Sequence, residues 1–398
     1  MHSRRQLARP SAAIMVVLSC LVAACSQPAA QPTPAPAKPA ATTAPAATSA
    51  PASAAPAATA APTAAAATQP TTAAAAKPAA QAVSLPKPEK SSVKLTHSTL
   101  EANTAVYAFA RDQGLYKKYG IDDVELLFNE GDGKSLQALA SGQIDFSAQG
   151  ASVAVSSLIT DIPILTVAFT ATTLTDDLVS TANVKSAADL KGKSVAVSSF
   201  GGTSHASVLL SLNALGIKPD EVTIQQIGGQ DARIAALKAG SVAAAPIDAA
   251  LQSDMKGQGF NILVHLQDTP QQFARNGLLV RKEFADKNPN TVLAFVAGTL
   301  EAVQLLYQQP DKAVESYQKW TQQTDRARAE KEIKDFMTYA DKDLSWSKDA
   351  FTNAQTVLAS TNPEIAKVDV SQAYTYDYLK KLVDMGVYDA VGAPKPTF

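Results

Sequence analysis

The stretch Glu130-Gly131-Asp132-Gly133-Lys134-Ser135-Leu136-Gln137-Ala138-Leu139-Ala140-Ser141-Gly142-Gln143-Ile144-Asp145-Phe146-Ser147-Ala148-Gln149-Gly150 carries the most information in this chain, because part of it recurs. Ala138, Leu139, Gly142 and Ile144 form the pattern Ala-Leu-x-x-Gly-x-Ile. Ala236, Leu237, Gly240 and Val242 repeat it 98 positions later, and Gly131 is matched by Gly229 at the same offset. Each copy reads as a glycine-containing loop after a strand, a helix with one small and apolar face, a glycine stop and a short strand. Two copies of one unit predict a two-lobed molecule with matching loops on either side of a cleft.

Outward from the first copy, hydrophobic patterning predicts strands at 93–98, 123–129, 145–149, 164–170 and 177–182, with helices at 104–119 (interrupted at Gly114), 133–141 and 152–160. Around the second copy the predicted strands are 194–198, 222–227, 243–247 and 261–266, and the helices 203–215, 231–239 and 248–257. A short capped turn at 186–190 precedes them. This alternation argues for α/β lobes with mainly parallel sheets. After a last strand at 278–282, helices are predicted at 289–308, 310–321, 326–340, 347–359 and 371–385. The first has Pro289 in its opening turn and spaces Val292, Phe295, Val296, Leu300, Val303 and Leu306 as one buried face.

The N-terminal end is of a different kind. Arg4, Arg5 and Arg9 precede an apolar run over 12–24 that is short for a transmembrane span, the pattern of an export signal. Its end, Leu21-Val22-Ala23-Ala24-Cys25, looks like a bacterial lipobox, which makes 1–24 a lipoprotein signal peptide and Cys25 the acylated mature N-terminus. Ser3-Arg4-Arg5-Gln6-Leu7 also resembles a twin-arginine motif, so both export routes stay open. Residues 25–91 read as a disordered linker, almost entirely Ala, Pro and Thr up to its last few residues. Recurrent prolines block long alanine helices there and no core can form. As a flexible coil the tether spans roughly 45 Å.

Cys20 and Cys25 are the only cysteines, and the first departs with the signal, so the folded body has no thiol for a disulfide, a nucleophile or a metal. His2, His97, His205 and His265 are isolated, and neither a metal nor another cofactor is expected. Net charge is −1 with no basic stripe, which argues against a nucleic-acid partner. No catalytic residue is expected either. Ser204 and His205 are adjacent, so on a helix they point in different directions. Gly133-Lys134-Ser135 is only the tail of a P-loop, with Phe128 where the first glycine belongs.

Four pieces, in order, carry a resemblance: Gly114-Leu115-Tyr116-Lys117-Lys118-Tyr119-Gly120-Ile121, Ala138 to Phe146, Asp189-Leu190-Lys191-Gly192-Lys193-Ser194-Val195-Ala196-Val197, and Lys287-Asn288-Pro289. Together they resemble the SsuA/THI5-like (NMT1-like) solute-binding proteins of ABC importers. The resemblance implies a type 2 periplasmic-binding-protein fold, with lobe 1 formed by 92–184 and 277–398, lobe 2 by 185–276, and the C-terminal helices on lobe 1. Crossovers are implied near Asn183 to Lys185 and Ala274 to Asn276.

In open α/β sheets, ligands sit beyond the carboxyl ends of strands, where helix N-termini favour anionic or polar oxygens. Four loops qualify: Ser98 and Thr99 with Glu101 and Asn103; Gly131 to Ser135; Gln149 and Gly150 with Ala151 and Ser152; and Phe200 to His205. In the last, Gly201 and Gly202 permit close backbone approach, and Thr203 and Ser204 offer hydroxyls; the alternative is an ordinary helix N-cap. In the resembled family the second copy usually carries an acid after Gly-x-Val, where this chain has Ala243; the first copy keeps Asp145, which reads as structural, and Asp248 reads equally as a cleft residue or a cap. Phe128, Phe169, Phe200 and Phe273 are candidate cleft walls, whereas Trp320 and Trp346 lie in the C-terminal helices and are not expected to serve as ligand platforms.

The expected function is that of a lipid-anchored extracytoplasmic solute-binding protein, a monomer delivering a small organic or anionic solute (sulfonate, nitrate-like, pyrimidine or similar) to an ABC permease and its ATPase. Two alternatives belong to other classes: a thiamine-pyrimidine precursor synthase-like enzyme, disfavoured by the absence of cysteine after Cys25, and a ligand-sensing module without transport.

Overall fold

The computed structural model describes residues 83–160, 162–269 and 273–398. The expected signal peptide, the lipidation site Cys25 and the tether through residue 82 lie outside the described residues.

In chain order the elements are β1 (Ser92–His97), α1 (Ala105–Asp112), α2 (Leu115–Lys118), β2 (Asp123–Phe128), α3 (Asp132–Ala140), β3 (Phe146–Gln149), α4 (Ala151–Ser157), β4 (Ile164–Ala171) and β5 (Asp176–Ser180). Then come α5 (Ala187–Leu190), β6 (Ser194–Val197), α6 (Thr203–Ala214), β7 (Thr223–Gln226), α7 (Gln230–Lys238), β8 (Ala244–Asp248), α8 (Gln252–Gly257), β9 (Asn261–His265) and β10 (Asn276–Arg281). The remainder is helical: α9 (Lys282–Lys287), α10 (Pro289–Gln308), α11 (Pro310–Thr321), α12 (Arg326–Tyr339), α13 (Lys348–Ala359), α14 (Asp377–Asp384) and α15 (Val387–Val391).

Two five-stranded sheets result, ordered β2-β1-β3-β10-β4 and β7-β6-β8-β5-β9. The orders are equivalent, and the sequence repeat maps onto α3–β3 in one and α7–β8 in the other. In each sheet the fourth strand is antiparallel to its neighbours, β10 to β3 and β4, and β5 to β8 and β9. Both sheets are therefore mixed, because each receives one strand from a chain arriving from the other lobe. The sheets read as near-continuous apolar runs where both faces are covered. In β5, Leu178 and Val179 fall in separate apolar clusters on opposite faces of the second sheet.

That pairing moves one boundary. β5 belongs to the second sheet, so the first crossing falls between β4 and β5, over 172–175, and not near Asn183 to Lys185. The linker boundary at 91 moves as well. Val83 and Leu85 pack against the first lobe's core, and Glu89 accepts hydrogen bonds from the N–H groups of Asn290 and Thr291 at 3.1 and 2.8 Å. The predicted helix at 371–385 is also broken. Tyr374 bridges to Thr166 at the β4 edge, which holds the chain extended there, and α14 starts only at Asp377.

Two helices fix the architecture. α10 is long and apolar enough to cross a membrane by length and composition, yet most of it is buried inside the protein. Phe295 stacks between Tyr116 and Phe146, joining α2, α10 and β3. α6 is buried around most of its circumference, Ser204 to Leu212 without interruption, because it serves both lobes. Val208 and Leu212 belong to the second lobe's core, while Ala206, Leu209 and Leu210 join the core of the first.

Candidate functional site

The cleft is built where the carboxyl ends of strands from both sheets meet. Its centre is Arg275, one residue before β10 and only 7% exposed. Its guanidinium donates to Asp176 at 3.0 Å and to Asp248 at 2.9 Å, both from the second lobe, and to Glu101 from the loop after β1. One cation at the return crossing thus ties the lobes together through three carboxylates. They hold the Arg275 pKa well above its ordinary value, although burial acts against them. Asp248 is pushed up to about 7, first by burial and then by the charge of Glu101, with Arg275 opposing. Its other oxygen accepts the N–H of Ala250, so Asp248 is at once a cap and a cleft residue. Arg233, on α7, is also buried and donates to the carbonyls of Pro246 and Gly228.

Beside this cluster lies a cavity of about 620 Å³, lined from both lobes. The first lobe contributes Ser98, Thr99, Phe128 and Glu130, and the second Gln230, Asp231, Asp248 and His265. The C-terminal helices add Tyr317, Arg328, Glu332, Asp335 and Tyr339 from α11 and α12. Arg328 donates to Glu332 at 2.9 Å and reaches Asp254 on α8 at 3.3 Å, an ion pair across the mouth of the cleft. The Tyr317 hydroxyl donates to Glu332 at 2.5 Å. His265 pairs with Asp177, whose carboxyl is raised chiefly by burial. Ser98 is 7% exposed and lines the cavity.

The loops singled out from the sequence come together, but largely against one another. Of the ten candidate residues, Ser98 and Thr99 line the large cavity. Asn103, Gly131, Gln149, Gly150, Thr203 and Ser204 surround an adjoining space of about 50 Å³, too small for an organic solute. The Asp132 carboxylate accepts the Thr203 N–H at 2.7 Å, so a side chain of the first lobe occupies the free end of α6. The Ser156 hydroxyl donates to the Gly201 carbonyl at 2.9 Å. Gly150 lies so close to the second lobe that a Cβ there would stand 2.6 Å from Thr203 Oγ1. Gln149 donates to the Asp132 carbonyl, Asn103 to Glu101, and Ser204 Oγ accepts the Ser198 N–H. Asp145 is structural, accepting the Lys94 N–H and pairing with Lys90.

Among the aromatic candidates, Phe128 lines the large cavity, Phe169 and Phe273 are core, and Phe200 is exposed, edge-on to His205. Sequence reasoning missed Arg275, Asp176 and the whole contribution of α11 and α12. A signal for Arg275 existed: a single cation between Ala274 and an apolar strand must be buried with a partner. α12 gives no such signal, since its amphipathic pattern does not separate a face toward a cleft from one toward bulk water. Among the described residues no His, Cys, Asp and Glu group is arranged to hold a metal ion.

Two lobes of matching strand order around a cleft define the periplasmic-binding-protein class of fold. The family model described as NMT1/THI5 like matches residues 101–313 of the 398, and the chain belongs to that family. It is 26% identical over 249 residues to a binding protein of Brucella abortus, covering 61% of this chain and 75% of the relative. Over 180 residues it is 32% identical to the taurine-binding periplasmic protein of Escherichia coli, covering 44% of this chain and 55% of that protein. Among solved structures, the alkanesulfonate-binding protein SsuA of Xanthomonas axonopodis superposes with a TM-score of 0.58 at 18% identity, covering 72% of this chain and 98% of that one. The nitrate-binding protein NrtA of Synechocystis gives 0.61 at 15% identity, covering 77% and 92%. At these identities the likeness is one of fold.

Proposed function

We propose that this chain is the extracytoplasmic, lipid-anchored solute-binding component of an ABC importer, anchored through Cys25, and that it captures a small solute between its lobes for delivery to a permease. The observation that carries the reading is the cavity of about 620 Å³ lined jointly by both lobes and by α12, in a member of a binding-protein family. That volume suits a small organic solute. A ligand touching both walls favours the closed arrangement over an open one, the population difference that lets a permease distinguish loaded from empty protein. Ligand contacts at Ser98 and Thr99 belong to this proposal, with Asn103, Gly131, Gln149, Gly150 and Gly201 to Ser204 as the seam beside them.

Native mass spectrometry of the purified protein, with small-angle scattering before and after removal of any co-purified solute, tests it. A bound small molecule whose removal enlarges the particle is the expected result. A chain that carries no solute and shows no change in dimensions with any candidate would overturn the proposal.

A further inference from the structure

Resting on the proposed solute-binding role, we infer that the cleft selects a solute bearing a positively charged nitrogen, an ammonium or amidinium, and turns away simple anions such as sulfonate and nitrate. The cavity wall carries the carboxylates of Glu101, Glu130, Asp231, Asp248, Glu332 and Asp335, against a single arginine, Arg328. Arg328 is already engaged by Glu332 and Asp254. Arg275 behind the wall is engaged by three carboxylates, and Arg233 by two carbonyls. Among the described residues lining the cavity, no cation is left for an incoming anion.

Of the helix N-termini near the cavity, that of α7 carries no side-chain cap, but the Asp231 carboxylate in its first turn sets a negative charge where an anion would bind. The N–H of Thr203 at the start of α6 is satisfied by the Asp132 carboxylate, and the turn after β8 by Asp248 itself. Glu130 and Asp231, by contrast, have no ion-pair or hydrogen-bond partner among the described residues and face the cavity from opposite lobes. Ser98, nine-tenths buried, lines the cavity from the first lobe and has a hydroxyl able to accept an N–H from such a solute. Phe128, 46% exposed, adds an aromatic ring to the same wall. A cation between Glu130 and Asp231 would neutralise one carboxylate from each lobe, so its charge would favour closure.

The test is calorimetric titration of the purified protein with putrescine, agmatine and benzamidine, and separately with ethanesulfonate and nitrate, at fixed ionic strength. At least one cation should bind, the anions should not, and the Glu130→Gln/Asp231→Asn variant should bind that cation about tenfold or more weakly. Both positions are at least partly solvent-exposed, so the variant should fold, and its thermal melt checks this. Binding of an anion, an affinity unchanged in the variant, or silence from all three cations overturns the charge selection. A co-purified solute without a cationic nitrogen does so too while leaving the solute-binding role standing; the absence of any solute, bound or co-purified, removes both.

Discussion

Arg275 concentrates the electrostatics of this molecule at one residue. A guanidinium removed from water costs several kcal/mol, and it is tolerated here because its forked donors meet carboxylates from both lobes. Three carboxylates around one cation leave excess negative charge, and burial together with the charge of Glu101 pushes Asp248 up to about 7. His97 is a second buried titratable group, and its behaviour can be tested. It is fully buried between Tyr107 and Trp320, and neither ring nitrogen has a hydrogen-bond partner among the described residues. Burial, with a smaller push from the charge of Arg111, lowers its pKa to about 3. Because that lies below the unfolded value of about 6.5, the folded state binds fewer protons. The associated stability is present above pH 6.5 and is lost as pH falls toward 3. Asp248 and Asp341, raised to about 7, work in the opposite sense: their contribution is present below about pH 4 and lost as pH rises through 7. Those groups are common to parent and variant and cancel in a comparison. Between pH 7 and 4 the parent should therefore lose about 3 kcal/mol more than His97→Leu, measured by urea unfolding at both pH values. A difference that stays constant with pH would show that His97 is charged or solvated in the fold.

At the scale of elements, the seam between α3 and α6 is where the repeat has its structural consequence. Gly131 and Gly229 occupy equivalent positions before α3 and α7, and a Cβ on Gly131 would lie 3.6 Å from the Gly229 nitrogen, so the two repeated loops meet face to face. At the neighbouring Gly202, a Cβ would stand 2.6 Å from Asp132 Oδ2 and 2.9 Å from Ser199 Oγ. Gly202→Val should thus act on lobe closure. Its side chain would displace the Asp132 carboxylate from the end of α6, costing about 1–3 kcal/mol of overpacking and lost charge-assisted hydrogen bonding. The expected readout is faster hydrogen exchange at the Thr203 N–H and a larger radius of gyration in the solute-free protein. Parental exchange together with parental dimensions would mean that the seam yields without opening.

For the molecule as a whole, the folded body begins ahead of the expected linker boundary at 91, close to where the Ala/Pro/Thr composition ends. Glu89 satisfies two N–H groups in the first turn of α10, Lys90 pairs with Asp145 at 2.7 Å, and Val83 and Leu85 lie on the core. A carboxylate at a helix N-terminus is favoured by both the orphan donors and the dipole. A chain starting at residue 82 should accordingly melt with the full-length protein, whereas one starting at Ser92 should lose about 1–3 kcal/mol. Parallel denaturant curves measure this. Equal stability of all three chains would make the 83–91 segment an ornament on the surface, and loss in the residue-82 chain would show that the tether contributes to folding.

The sequence by itself determined the duplicated α/β unit, the two lobes, the core face of α10 and the helical C-terminal third. Each of these is written as a local period or a repeat, and period reports which face is buried. Ala138, Leu139, Gly142 and Ile144 needed only their spacing to be read. Only the tertiary structure decided that Asp132 would cap α6, that β5 would cross to the second sheet, and that α12 would wall the cleft with Glu332 and Asp335. It also decided the sign of the charge that a solute meets. Arg275 and Glu101 stand 174 positions apart, and Asp132 and Thr203 stand 71 apart. Whether such groups neutralise one another or face a cavity depends on how two lobes are set against each other, and no local pattern of side chains records that placement.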